Sequence, residues 1–149
     1  MAGIIKVNQY QDFNGNTLFT SDGNGNLTTL KTNYPAFQAY QGSTQTISQT
    51  TTTKAEIDTE EFDTDNCYDT STYRFTPTVA GKYFVYAQLQ LFGSSDIELA
   101  RTYIYKNGSQ LVRGDVDPVN SYPQNRNTVK VSYTIDMNGS TDYVEVFGL

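Results

Sequence analysis

The chain has 149 residues, room for one domain with its own core and a short extension, and its twelve Tyr and eight Phe sit among many Thr, Ser, Asn and Gly, the make-up of an all-β protein. A formal net charge of −6, with ten scattered Lys and Arg, argues against nucleic acid or anionic lipid held by bulk electrostatics. Histidine is absent and the lone cysteine, Cys67, has neither a base nor a disulfide partner, which removes the usual triad, Cys-His and His-metal chemistries and points to a non-enzymatic protein without a cofactor.

The first residues, MAGIIKVNQY, carry a lysine inside a short apolar run, so they do not read as a secretory segment, and no run is long enough to insert in a membrane. Synthesis in a host cytoplasm is expected. Residues 1–32 form an arm in which Ile4, Ile5, Val7, Tyr10, Phe13, Leu18, Phe19, Leu27 and Leu30 are spaced by turns at Asn14-Gly15 and Asp22-Gly23. Strands this short bury little alone and need a partner surface, either the rest of the chain or other subunits and a carrier. On the second reading Ile4, Ile5, Val7, Phe13, Leu18 and Phe19 are the docking residues. The spacing of Asp22, Asn24 and Asn26 opens like a calcium loop, but Leu27 stands where that loop needs glycine and Asn33 where it needs glutamate.

Residues 33–149 read as one domain. Tyr34 to Gln41 is its first strand, followed by a Thr-rich loop and an exposed strand anchored by Ile47 and Ile57. The segment from Glu60 to Thr72 is the most acidic of the chain. Its Asp63, Asp65 and Asp69 either offer oxygen ligands to a hard cation or belong to a solvated loop, the simpler reading. Tyr73 to Leu91 reads as strand, turn at Pro77–Gly81, strand, with Tyr83, Val85, Ala87, Leu89 and Leu91 on a core face and Phe84, Tyr86, Gln88 and Gln90 opposite. Phe84 and Tyr86 are therefore candidates for a subunit contact. A second hairpin turns at Asn107-Gly108, and Asp115 to Asn127 is a surface loop in which Asp115 and Asp117 make another possible cation pair. A third hairpin, Val129 to Val146, turns at Asn138-Gly139. Tyr68 and Tyr122 are candidate stacking platforms for a glycan, with a place in the core the simpler reading for each.

Taken together, AFQAYQG, FDTDNCYDTSTYRFTPTVAGKYFVYAQLQL and YIYKNGSQLVRG resemble the globular head of the complement-type family, one of the tumour-necrosis-factor-like jelly rolls. The resemblance runs from about Tyr34 to Val146 and is carried by Tyr68, Asp69, Phe75, Thr76, Pro77, Gly81, Tyr83, Phe84 and the Asn107-Gly108 turn. It implies an antiparallel jelly-roll β-sandwich that assembles as a homotrimer and has no enzymatic activity. The family closes with a further strand of the type Phe-Ser-Gly-Phe-x-Leu, where this sequence has Phe147-Gly148-Leu149: either these three residues compress that strand or the arm supplies a replacement. The arm, IIKVNQYQDFNGNTLFTSDGNGNLT, is similar to leaders of small bacteriophage structural proteins, notably those of cyanophages. That similarity implies a virion protein that decorates or cements the capsid against the major capsid protein, or else a tail-fibre tip or receptor-binding module that touches a host surface glycan or protein.

Overall fold

The computed structural model describes residues 9–29, 35–94, 97–116 and 125–149. Ile4, Ile5, Val7, Asp117 and Tyr122 lie outside the described residues. The chain divides into two compact units, Met1–Asn33 and Tyr34–Leu149, and among the described residues every regular element is a strand.

In the first unit β1 (Gln9–Gln11), β2 (Thr17–Ser21) and β3 (Leu27–Thr29) form an antiparallel meander. Two turns of the same chemistry make it. Asp12 Oδ1 accepts the backbone N–H groups of Asn14 and Asn16 while its Oδ2 accepts the Asn16 amide, and Asp22 repeats these bonds with Asn24 and Asn26. The Asp22 carboxylate is thus occupied by its own turn, as an Asx residue at a β-turn commonly is. Hydrogen bonds from the asparagines hold both carboxyls below the ordinary aspartate range. Tyr10 stacks on Phe19 with ring centres 4.4 Å apart, the cross-strand pair that fixes the register of β1 on β2.

Among the described residues the second unit holds three sheets. A six-stranded sheet runs in the order β11 (Ser109–Val116), β10 (Ala100–Lys106), β13 (Val144–Gly148), β8 (Arg74–Phe75), β7 (Tyr68–Asp69), with β5 (Thr53–Lys54) also on β13. Facing it are the long ribbon of β9 (Ala80–Phe92) and β12 (Arg126–Asn138), paired along their full length, and the short pair of β4 (Phe37–Tyr40) and β6 (Thr59–Asp63). Val85 and Ala87 of β9 and Val131, Ile135 and Met137 of β12 pack on Ile104 and Val144 from the large sheet. A second cluster joins Cys67, Tyr68 and Phe75 to Phe37, Ala39 and Ile57, and Tyr83 touches both. The period-2 pattern of β9 therefore faces inward as expected, with Phe84 and Tyr86 on the opposite side.

Two expected hairpins and one expected loop differ. The run Tyr73–Leu91 is not a hairpin: Arg74 and Phe75 pair with β7 and β13, whereas β9 pairs only with β12 among the described residues. The buried Pro77 and its neighbours instead carry the chain from one sheet to the facing one. Val129–Val146 behaves likewise, since β12 joins β9 and β13 joins β10, so Asn138-Gly139 is a crossing between layers. Two alternating runs with apolar faces satisfy the core equally whether they lie side by side or across it, and the alternation cannot distinguish the two. Glu60 to Asp63, expected in a solvated loop, belongs to strand β6. The Asn107-Gly108 hairpin is present, with φ of 52° and 76° at its two turn residues, the primed geometry that suits right-twisted strands.

Gly139, at φ 71°, sits at the layer crossing, where an added Cβ would lie 2.6 Å from the carbonyl carbon of Val79 and against the Ala80 nitrogen. Gly139→Ala combines a left-handed backbone with a backbone collision and is expected to cost about 2–3 kcal/mol. Ile104→Ala, at a side chain with no exposed surface, is expected to cost about 3–5 kcal/mol. Urea unfolding monitored by tyrosine fluorescence measures both; a loss under about 0.5 kcal/mol at Ile104 would contradict the core assignment.

Candidate binding cleft and exposed surfaces

The register of β13 places Val144 on the core side, opposite Phe75, and Glu145 on the other face of the sheet. Glu145 is only 4% exposed, and a buried carboxylate must be paired to remain charged. Lys54 and Arg74 provide that pairing: Lys54 Nζ stands 2.6 Å and Arg74 Nε 2.9 Å from the same oxygen, Oε1. Burial pushes the Glu145 carboxyl up, and the hydrogen bonds and charges of the two cations outweigh it and hold it below the ordinary value of 4.5. The Arg74 guanidinium also stacks over Tyr143, 4.0 Å from the ring centre, which fixes its plane.

Of these, Lys54 and Arg74 line a cleft of about 360 Å³, and Glu145 anchors them from outside its lining. Gln45 holds one wall, donating to the Lys54 carbonyl and accepting the Glu56 N–H. The other wall is the loop from β7 to β8, where Asp69 accepts the N–H and hydroxyl of Ser71 and the hydroxyl of Thr72. Those bonds hold the Asp69 carboxyl well below the aspartate range. The loop closes through Tyr73, whose φ of 55° is left-handed backbone, and the Lys54 ammonium lies 5.8 Å from its ring centre.

The acidic residues expected as cation ligands do other work. Asp63 accepts the N–H groups of Tyr68 and Asp65, Asp65 accepts from Cys67 Sγ and from the Thr78 hydroxyl, and Asp115 bridges Arg101 and Arg113 at 2.8 and 2.9 Å. Asp115 stands in strand β11 and not in a loop. Among the described residues no group of three or more His, Cys, Asp or Glu is placed to hold a metal ion. Tyr68 takes the simpler of its two readings: it is buried at 8% exposure against Phe37, with its hydroxyl donating to the Ile57 carbonyl, and is no exposed stacking platform; the alternation of β7 turns it into the core. Burial pushes its phenol and the Cys67 thiol above their ordinary ranges, which leaves both protonated at neutral pH.

Of the expected docking residues, Phe13 is fully exposed at the tip of the first arm turn, Leu18 is half-exposed, and Phe19 is partly covered by Tyr10. Phe84 and Tyr86 are 71% and 55% exposed, flanked across the ribbon by Thr134 and Ser132. The Lys82–Asp136 ion pair stands at one end of this strip, and Arg126 approaches Phe92 at the other. An aromatic centre with charged ends is the pattern of an interaction surface.

No protein-family model matches this chain, and no curated protein matches it. The cleft was not legible beforehand. Lys54, Tyr73, Arg74 and Glu145 are brought together by the pairing of β13 with β5 and β8, and the one local hint was a carboxylate, Glu145, set between Val144 and Val146 in a strand pattern.

Glu145→Gln leaves Lys54 and Arg74 around a neutral amide and is expected to cost about 2 kcal/mol at pH 7, reduced from the fully buried case because both cations are partly exposed. A carboxylate whose pKa is depressed on folding stabilises above its unfolded pKa and loses that contribution as pH falls through its folded value. The gap between parent and variant is therefore expected at pH 7 and should close on acidification below pH 4.5, the ordinary glutamate value. Urea midpoints at several pH values measure it; a gap that widens in acid would contradict the assignment.

Proposed function

We propose that the chain is a bacteriophage virion-surface structural protein whose head is a tumour-necrosis-factor-like jelly roll, assembled as a homotrimer that decorates or cements the capsid. The observation that carries this reading is the aromatic strip of Phe84 and Tyr86, standing out from the middle of the longest ribbon with no role in the core. Burying two such rings per subunit gives an assembly apolar surface worth several kcal/mol, at about 25 cal/mol per Å². The chain path supports the jelly roll. It passes from β8 across to β9, back to β10 and β11, across to β12 and back to β13, and β13 lies between β10 and β8, the type of long-range return that Greek-key sandwiches use.

The arm fits a docking role on the same grounds. Its meander offers Phe13 fully exposed at a turn and Leu18 half-exposed on a strand, where a self-sufficient hairpin would turn such side chains inward. Its partner on this reading is the major capsid protein. A tail-fibre tip is the competing placement.

Antibody labelling of intact particles under the electron microscope tests the placement. Label over the capsid faces is expected; label at the tail tip would replace decoration with the fibre reading, and particles free of the protein would overturn both. The trimer is tested by sedimentation of the purified protein with Phe84→Asp and Tyr86→Asp introduced together. The parent is expected to sediment as a trimer at micromolar concentration and the double variant as a folded monomer. A parent that is already monomeric would contradict the proposal.

A further inference from the structure

We propose that the cleft between the β5 strand and the β7–β8 loop is a binding site for a neutral saccharide, with Tyr73 as its stacking platform. The inference is independent of where the protein sits on a particle. It begins from an expensive residue choice. Tyr73 ends the loop at φ 55°, a position that glycine or asparagine occupies with little strain and an aromatic residue does not. The turn itself needs no ring there, since Asp69 already ties Ser71 and Thr72 and the Asp69–Arg74 pairing closes the strands. Neither hydrophobic cluster includes Tyr73. The ring thus serves neither the turn nor the core, and its contacts are the Lys54 ammonium, 5.8 Å from its centre, and the cleft.

What it meets is a shallow, open cleft of about 360 Å³. The lining offers both senses of hydrogen bond. Lys54 and Arg74 each spend one N–H group on Glu145 and keep others, and the exposed Glu56 carboxylate is an acceptor at the same cleft. Ser71 and Thr72 donate to Asp69 and retain acceptor lone pairs. The two cations, Lys54 and Arg74, are countered by Glu145 outside the lining, by Glu56 in it and by Asp69 behind the loop wall, so the site holds no surplus positive charge for a phosphate or a polyanion. An aromatic face beside fixed donors and acceptors suits a pyranose, whose C–H face covers a ring while its neighbouring hydroxyls both give and take hydrogen bonds. Glu145, anchored out of solvent, fixes the two cations in advance and lowers the ordering cost of binding.

Purified full chain applied to an array of neutral and acidic bacterial surface oligosaccharides tests the proposal, with Tyr73→Gly and Tyr73→Trp alongside. The parent is expected to bind a subset of neutral glycans, Tyr73→Trp to retain them, and Tyr73→Gly to lose at least tenfold in affinity while its melting temperature stays level or rises as the backbone strain is relieved. Glu56→Gln, an exposed change, is expected to weaken the same glycans without affecting folding. The proposal is overturned by a parent that binds no glycan, by binding confined to acidic glycans, or by unchanged affinity in Tyr73→Gly. A lowered melting temperature in Tyr73→Gly would also sink it, because the ring would then be a packing residue. None of these results bears on particle labelling, so this proposal and the virion reading fail separately.

Discussion

The alternation of five residues, Val144 to Gly148, governs both faces of the head. On one side Val144 and Val146 reach the core shared with β9 and β12, and Gly148 lets Leu89 and Leu91 come close. On the other, Glu145 gathers Lys54 and Arg74 from two flanking strands. A charge at 4% exposure is tolerable only because both cations reach it, and they reach it only because β13 pairs with β5, β8 and β10 at once. Slipping β13 by one residue would bury Glu145 in the apolar cluster and expel Val144, so the ion pairs and the hydrophobic core specify the same register. Polar and apolar requirements agree here, as they do in a sequence that encodes one structure.

What could be read from the sequence was what is local. The all-β character, the inward face of β9 and the Asn107-Gly108 hairpin rest on patterns spanning a few residues, and the structure has each of them. The failures share one physical cause. Tyr73–Leu91 and Val129–Val146 each contain two alternating runs joined by a turn signal, yet each passes from one sheet to the other, because the energy of burying an apolar face does not depend on which strand supplies the neighbouring backbone. At Tyr68 residue type leaves loop surface and core both open, with core the simpler, and its place in β7 sends it under Phe37. The cleft escaped for a further reason: Lys54, Tyr73 and Glu145 are far apart in sequence, and the left-handed backbone at Tyr73 has no signature in residue type.

The two surfaces argued for function lie on different parts of the architecture. The Phe84–Tyr86 strip belongs to the β9–β12 ribbon, whereas the cleft is lined by β5, the start of β8 and the loop before it. An assembly that covers the strip therefore makes no demand on the cleft residues, and each subunit could present its own cleft. Repetition of a weak site around a symmetric particle raises effective affinity without new contacts, so a modest saccharide site is of use on a multivalent surface.

The account's central claim is that the exposed aromatic strip is a subunit interface. A cryo-electron microscopy reconstruction of the assembled protein at side-chain resolution tests it most directly. It should show three heads about one axis with Phe84 and Tyr86 excluded from solvent between neighbours. Heads that contact one another elsewhere, with both rings facing water, would contradict it.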